Sequence, residues 1–190
     1  MIAKRAGVAV GSVYNYFADK RALILELLEE TDRQLADQVV AQLDPASWRG
    51  RTDPRDLTRT LIDVVFHAQS LRPGIQRILW ARYFKDPDFE APFEAIRDQI
   101  RAAIVEFLSA VDEQGELRPE LDRKMAPFVI LNAVQWNATQ AFFRGEPRFV
   151  QQAARATAEL VARYVFRDRG RAGGSDGVQA GRRVRTSRSR

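Results

Sequence analysis

The chain has no cysteine and one histidine, His67. The first absence excludes disulfide scaffolds, thiol nucleophiles and zinc–thiolate sites. The second leaves a multi-histidine metal centre or a histidine-based triad without enough ligands in one subunit. No metal, cofactor or catalytic chemistry is therefore expected. No apolar run approaches the ~20 residues of a membrane-spanning helix, and the first residues lead into no signal-type apolar core, so neither a membrane partner nor a secretory signal is expected. Lack of cysteine also favours a reducing, cytoplasmic setting. Sustained period-two alternation is missing as well, which argues against a sheet.

What is present is an ordinary globular balance. The 190 residues are 45% hydrophobic and 29% charged, enough for one or two domains with a sizeable core. The net charge of +5 is unevenly placed. Residues 167–190 hold eight arginines against Asp168 and Asp176, and the rest of the chain is close to neutral. That tail is rich in Gly, Ser and Arg and has almost nothing to bury, so it is expected to be disordered. A solvated tail with weak phosphate affinity explains it; retention of nucleic acid by counterion release is the sharper alternative.

Helical periodicity dominates, and an all-α fold is expected. From Asp19 to about Leu43 the apolar residues Leu23, Leu27, Leu28, Leu35, Val39 and Leu43 recur at helical spacing. Asp53 or Asp56 caps a second helix that Arg72-Pro73-Gly74 closes. A short helix follows over Ile75–Phe84, then a long one from Pro92 to about Glu113. After the Gln114–Pro119 turn, Asp122 reads as the N-cap of a helix to Phe143 that Gly145 and Pro147 end. A last helix covers about Arg148–Phe166. Pro127 predicts a local kink in the helix from Asp122. That helix is apolar around much of its circumference, and the last one is rich in alanine. Together they predict a homodimer interface built from both.

Several side chains are candidates for a ligand cavity. Trp80, Phe107, Asn132, Gln135 and Trp136 place large aromatics near amides that need partners, which a ligand or a dimer mate can supply. His67 reads first as a structural histidine near the inner face and second as a ligand contact. A small apolar or aromatic effector fits such a lining. Asp86, Asp88 and Glu90 read as an acidic loop beside helix starts rather than a cation site.

The stretch Ile2–Lys20 carries the functional signal. It reads as helix, tight turn, helix. Gly7 permits the positive φ that reverses the chain. Val13 and Phe17, four apart, form the inner face of the second helix. Ser12, Asn15 and Tyr16 then face outward, with Tyr14 at the flank, suited to phosphates and base edges in a major groove. Lys20, at the start of the next helix, can hold a phosphate.

Ala6-Gly7-Val8, Gly11-Ser12-Val13-Tyr14-Asn15-Tyr16-Phe17 and Lys20-Arg21-Ala22-Leu23 resemble the helix-turn-helix signature of the tetracycline-repressor (TetR) family. The resemblance covers residues 2 to 23. It implies that Ser12, Tyr14, Tyr16 and Lys20 lie on the DNA backbone, and that Val10, Gly11 and Asn15 approach bases. It also implies a homodimer through the last two helices and a ligand pocket in the C-terminal part. Ala9 stands where the family usually has serine, which removes a hydroxyl cap worth about 1 kcal/mol. The family has a further helix and about half of the next before this point. The chain thus reads as N-terminally truncated relative to the family, with Met1 an internal start. Residues 1–20 are then expected to be the least ordered of the folded region, and DNA affinity weak.

The expected organisation is a helix-turn-helix DNA-binding domain over residues 1–30 without its first helix, a helical ligand-binding and dimerisation domain over 31–166, and the Arg-rich tail. The expected function is a ligand-responsive transcriptional regulator, a repressor, binding a palindromic double-stranded DNA operator as a homodimer. The alternative is a dimerising ligand-binding protein that has lost DNA binding through the truncation.

Overall fold

Proline placement sets the helix boundaries more than any other local feature. Five of the helices open on a proline, whose missing N–H is an orphan in the first turn anyway and whose φ is already helical. The computed structural model describes Gly7 and residues 15–71, 73–83 and 85–168. Among them lie α1 (Lys20–Leu43), α2 (Pro45–Trp48), α3 (Pro54–Leu71), α4 (Pro73–Tyr83), α5 (Pro87–Glu113), α6 (Ala126–Arg144) and α7 (Pro147–Val165). The fold is all-α. The one β contact among the described residues is an isolated antiparallel bridge, Leu117 to Phe166.

Four sequence expectations need correction. Helix α3 ends at Leu71, as expected, but Pro73 also opens α4, two residues before the expected start at Ile75. Helix α5 begins five residues earlier than expected, with Pro92 inside it. The extra turn is held because Asp86 accepts from the Asp88 N–H at 3.3 Å while Arg21 bonds both carboxylates from α1. The Asp122 carboxylate accepts from the N–H groups of Lys124 and Met125, so it caps a separate turn, and α6 starts only at Ala126. Pro127 is then in the first turn of α6, where no intrahelical bond is lost, and the physical basis for a kink disappears. The short helix α2 had no counterpart in the periodicity, because four residues are too few to show one.

Two layers meet in the core. Helix α1 packs along α5; α3 packs on α6 and α7, which also pack on each other; α5 closes against α6. Trp48 anchors one end. It is 2% exposed, donates its indole N–H to the Leu43 carbonyl at 3.1 Å, and tilts onto Phe107 with ring centroids 5.3 Å apart. The loop between α5 and α6 is tied to the end of α7 by Arg118 N–H to Val165 O and Arg167 N–H to Glu116 O, both 2.9 Å. The Arg55 guanidinium covers the Phe166 ring at 4.8 Å. Gly145 ends α6 at φ 75°, a left-handed conformation that costs glycine nothing.

A boundary at residue 30 falls in the middle of α1, which runs uninterrupted from Lys20 to Leu43. Its first half packs with α5 through a separate small cluster of Leu28 and Phe93, flanked by Ile24, Leu25 and Tyr83. No helix among the described residues is long and apolar enough to cross a membrane. Trp48→Ala should remove packing and leave the Leu43 carbonyl short of a donor, costing about 3–5 kcal/mol. Urea denaturation checks this: the midpoint should fall sharply, and an unchanged midpoint would show that α2 is not part of the cooperative core.

Candidate functional site

Two regions are of interest, and α1 touches both. The first lies at its start. Asp19 caps the helix by accepting from the Ala22 N–H at 2.7 Å, which leaves Lys20 exposed in the first turn. Asn15 and Tyr16 are helical and exposed, Tyr16 at 85%. Phe17 is half-buried. Gly7 has φ 69°, the positive value its place in a tight turn requires. Val10, Gly11, Ser12 and Tyr14 lie outside the described residues, as do Val13 and the tail 169–190.

Arg21 joins this end of α1 to the rest of the protein. Its Nε donates to Asp86 Oδ2 at 2.8 Å, and its Nη2 lies 2.6 Å from both Asp86 Oδ1 and Asp88 Oδ2. The guanidinium holds the Asp86 carboxyl below the usual carboxylate range. The acidic loop is therefore an anchor for α1, which explains its charge without a cation. No group of three or more His, Asp or Glu residues with metal-binding proximity occurs among the described residues.

The second region is a pocket of about 160 Å³, partly open to solvent, between α1, α3, α4, α5, α6 and α7. Its walls are largely apolar: Leu35, Val39, Leu61, Ile62, Ile100, Ile104, Leu131 and Val134, with Trp80, Tyr83, Phe93 and Phe107 as aromatic faces. The polar lining is Asp32, Thr58, Gln69, Arg97 and Gln135. A void of this size in an apolar interior accepts a compact organic ligand, of the order of a substituted benzene.

The structure distributes the candidate ligand residues unevenly. Trp80, Phe107 and Gln135 line the cavity. Trp136 does not: it is 50% exposed on α6 and meets Trp80 edge-on from outside, centroids 5.8 Å apart. Asn132 is also off the lining. Its carbonyl accepts from Arg97 Nη2 at 2.8 Å, and Gln135 accepts from Arg97 Nη1. The amides thus find their partner in Arg97 of α5, within the chain. His67 is exposed and borders a different, larger cleft of about 810 Å³ with Phe142, Phe143 and Arg77. It lies off the face through which α3 buries Leu57, Leu61, Ile62 and Phe66, so the expectation of an inward histidine is corrected.

Asp32, Arg97 and Gln69 were not legible as pocket residues in the sequence, whereas Tyr83, an aromatic that could line a pocket, does line it. A signal existed for Asp32 and Arg97. Asp32 is four residues from both Leu28 and Ala36 on the buried stripe of α1, and Arg97 is four after Phe93 on that of α5. A charge inside an apolar stripe marks either an internal ion pair or a ligand contact. Arg97 is of the first kind, with Nε 3.3 Å from Glu94 Oε1. Tyr83 donates to the same carboxylate at 2.5 Å, and burial followed by that bond pushes its hydroxyl up to about 12.

The arrangement is a helical bundle with a pocket, joined by one continuous helix to an exposed polar segment that follows a glycine turn. Known proteins share both its N-terminal segment and its fold. The model of bacterial regulatory proteins of the tetR family matches residues 1–27. The HTH-type transcriptional regulator BetI of Cronobacter sakazakii (strain ATCC BAA-894) is 46% identical over 89 residues, which is 45% of this chain and 43% of that protein, so the match spans less than half the length of the relative. A TetR transcription regulator from Haloarcula marismortui ATCC 43049 superposes with a TM-score of 0.70 at 14% identity, covering 86% of this chain and 85% of that one. The fatty acid degradation regulator FadR from Bacillus halodurans does so with a TM-score of 0.69 at 19% identity, covering 85% and 81%. FadR from Bacillus subtilis, in complex with stearoyl-CoA, gives 0.63 at 18% identity, covering 85% and 84%. At such identities the likeness is one of fold. Residues 1–27 thus match the model of bacterial regulatory proteins of the tetR family, and the rest of the chain shares its fold with these solved regulators.

Burial holds the Asp32 carboxyl at about 7, well above its ordinary value of 3.8. A folded-state value raised in this way stabilises the protein below the unfolded value, and the contribution is lost as pH rises through 7. Asp32→Asn should therefore melt higher than the parent at about pH 8, with the difference shrinking to nothing near pH 4. Equal melting temperatures at both pH values would show that the carboxyl is solvated.

Proposed function

We infer that the chain is a ligand-responsive DNA-binding regulator, a repressor that grips a palindromic operator as a homodimer and releases it when the cavity is filled. It works in the cytoplasm, with double-stranded DNA and a small, mostly apolar or aromatic effector as partners. The observation that carries this reading is the continuity of α1: one rigid helix has the exposed Lys20 and the Asp86–Asp88 anchor at its start and a cavity wall of Asp32, Leu35, Ala36 and Val39 further along. A ligand that favours one placement of α1 shifts the population of DNA-compatible dimers by its difference in affinity for the two placements.

DNA contact is assigned to Val10, Gly11, Ser12, Tyr14, Asn15, Tyr16 and Lys20. For the described members the support is exposure together with chemistry. A phenol and an ammonium beside a helix N-terminus suit phosphate oxygens.

Dimerisation is assigned to α6 and α7. Val129, Trp136 and Phe143 are exposed large apolar residues on α6, and Leu160 is 52% exposed on α7. A patch of this composition on two adjacent helices is suited to a self-complementary interface, which should exceed ~1,000 Å². Light scattering at micromolar concentration should give a dimer, and Trp136→Glu with Leu160→Glu should give a folded monomer. A parent that is monomeric would remove the interface.

Binding to the DNA upstream of its own gene is the test of the whole reading. Tyr16→Ala and Lys20→Ala should each weaken binding in a gel shift without unfolding the protein, and Lys20→Ala should lower the salt slope by about one unit. A chain that binds no DNA but still dimerises and takes up ligand would favour the alternative, a ligand-binding protein without DNA affinity.

A further inference from the structure

The Asp32 carboxylate is the one acidic group in the cavity wall, and its surroundings do not neutralise it. It makes no hydrogen bond or ion pair within the described residues. Burial is the sole cause of its raised proton affinity, so no nearby cation offsets its charge. The other charged group in the wall, Arg97, is already occupied. Its Nη atoms bond the side-chain carbonyls of Asn132 and Gln135 and its Nε lies 3.3 Å from Glu94, so its partners lie on α5 and α6 and do not include Asp32. Asp32 is therefore the charged group of the wall that has no polar partner among the described residues.

The remaining lining fits a cation. Trp80, Tyr83, Phe93 and Phe107 surround the void, and Trp80 and Tyr83 are set edge-to-face with centroids 5.7 Å apart. Aromatic faces attract a cation through their negative quadrupole, most strongly where water is excluded. One carboxylate with apolar and aromatic walls cannot complete the oxygen shell of a metal ion. It can accept two or three N–H bonds from an ammonium head whose hydrocarbon part fills the void. At about 160 Å³ the space suits one ring with a short arm.

We propose that the cavity selects a compact organic cation, an aryl- or alkylamine whose ammonium group pairs with Asp32 while its apolar body lies among Trp80, Tyr83, Phe93 and Phe107. This rests on the cavity being the effector site and adds the chemical class of the effector. An anionic ligand is disfavoured by repulsion from the ionised Asp32. The amine also removes the internal conflict of the apo protein, since ion pairing returns the buried carboxyl to its charged form.

Four probes of nearly equal size separate the terms: phenethylamine, 2-phenylethanol, propylbenzene and phenylacetate. Each is titrated into the full chain by calorimetry at about pH 8, above the value of Asp32, with Trp80 emission as a second readout. Phenethylamine should bind about tenfold or more tighter than 2-phenylethanol, a margin expected of a hydrogen bond to a charged group, and phenylacetate should bind weakest. In Asp32→Asn the amine's advantage should fall to about onefold, while propylbenzene keeps its affinity within about twofold and so reports an intact cavity. If propylbenzene and 2-phenylethanol bind but the amine gains nothing, or if Asp32→Asn keeps the tenfold preference, the assignment of Asp32 is overturned and the cavity reading stands. If none of the four binds, the cavity is not a ligand site and both fall together.

Discussion

A single helix has to serve two regions whose demands differ. Helix α1 is 24 residues long, about 36 Å at the usual rise, and contains no proline or glycine at which it could bend. Whatever moves its middle moves its start. Its middle forms a cavity wall, and its start is held by Arg21 to the turn that opens α5. The Arg21 network is exposed and so contributes little to overall stability. Its effect is on placement: two carboxylates on one guanidinium fix where α1 begins relative to α5. A contact of modest energy suits a joint that must have two positions.

The interior shows how the polar groups are divided between structure and ligand. Arg97, Asn132, Gln135 and Glu94 satisfy one another across α5 and α6 and so fix the register of those helices. Thr139, fully buried, donates to the Gln135 backbone carbonyl at 2.8 Å, which satisfies its hydroxyl beside this network. Asp32 stands outside it. Asp32 is half-buried at the pocket wall and has no polar partner among the described residues, a placement proteins keep where a ligand or a proton compensates.

Much of this was legible in the sequence. The helix-turn-helix reading rested on Gly7 and on Val13 and Phe17 as an inner helix face; Gly7 has the positive φ it called for, Phe17 is half-buried, and Val13 lies outside the described residues. The long helices were visible in their stripes. Boundaries failed where a proline also served as a start, at Pro73, which follows the end of α3 and opens α4, and at Pro87, which opens α5, since sequence does not say on which side of a proline the chain is helical. The cavity was foreseen in its general place and through Trp80, Phe107 and Gln135, but not in its polar wall. Asn132 and Trp136 share a helix with Gln135 yet point elsewhere, which a list of residue types does not reveal. Arg97 was the missing partner, and it lies some 35 residues away in sequence, beyond any local pattern. Asp32 was hidden by being counted among the charges of an amphipathic helix, although its position on the stripe set it apart.

The absence of cysteine makes the central claim directly measurable, because one introduced thiol carries one label. Glu26, exposed on the first half of α1, is replaced by cysteine and spin-labelled, and the distance between the two labels of the dimer is recorded by pulsed electron resonance. If filling the cavity moves α1 as a rigid body, saturation with phenethylamine should shift the distance distribution to a new maximum, and Asp32→Asn should require more ligand to reach it. A distribution that stays in place when calorimetry shows the cavity to be full would contradict the coupling of cavity to DNA-binding segment through α1.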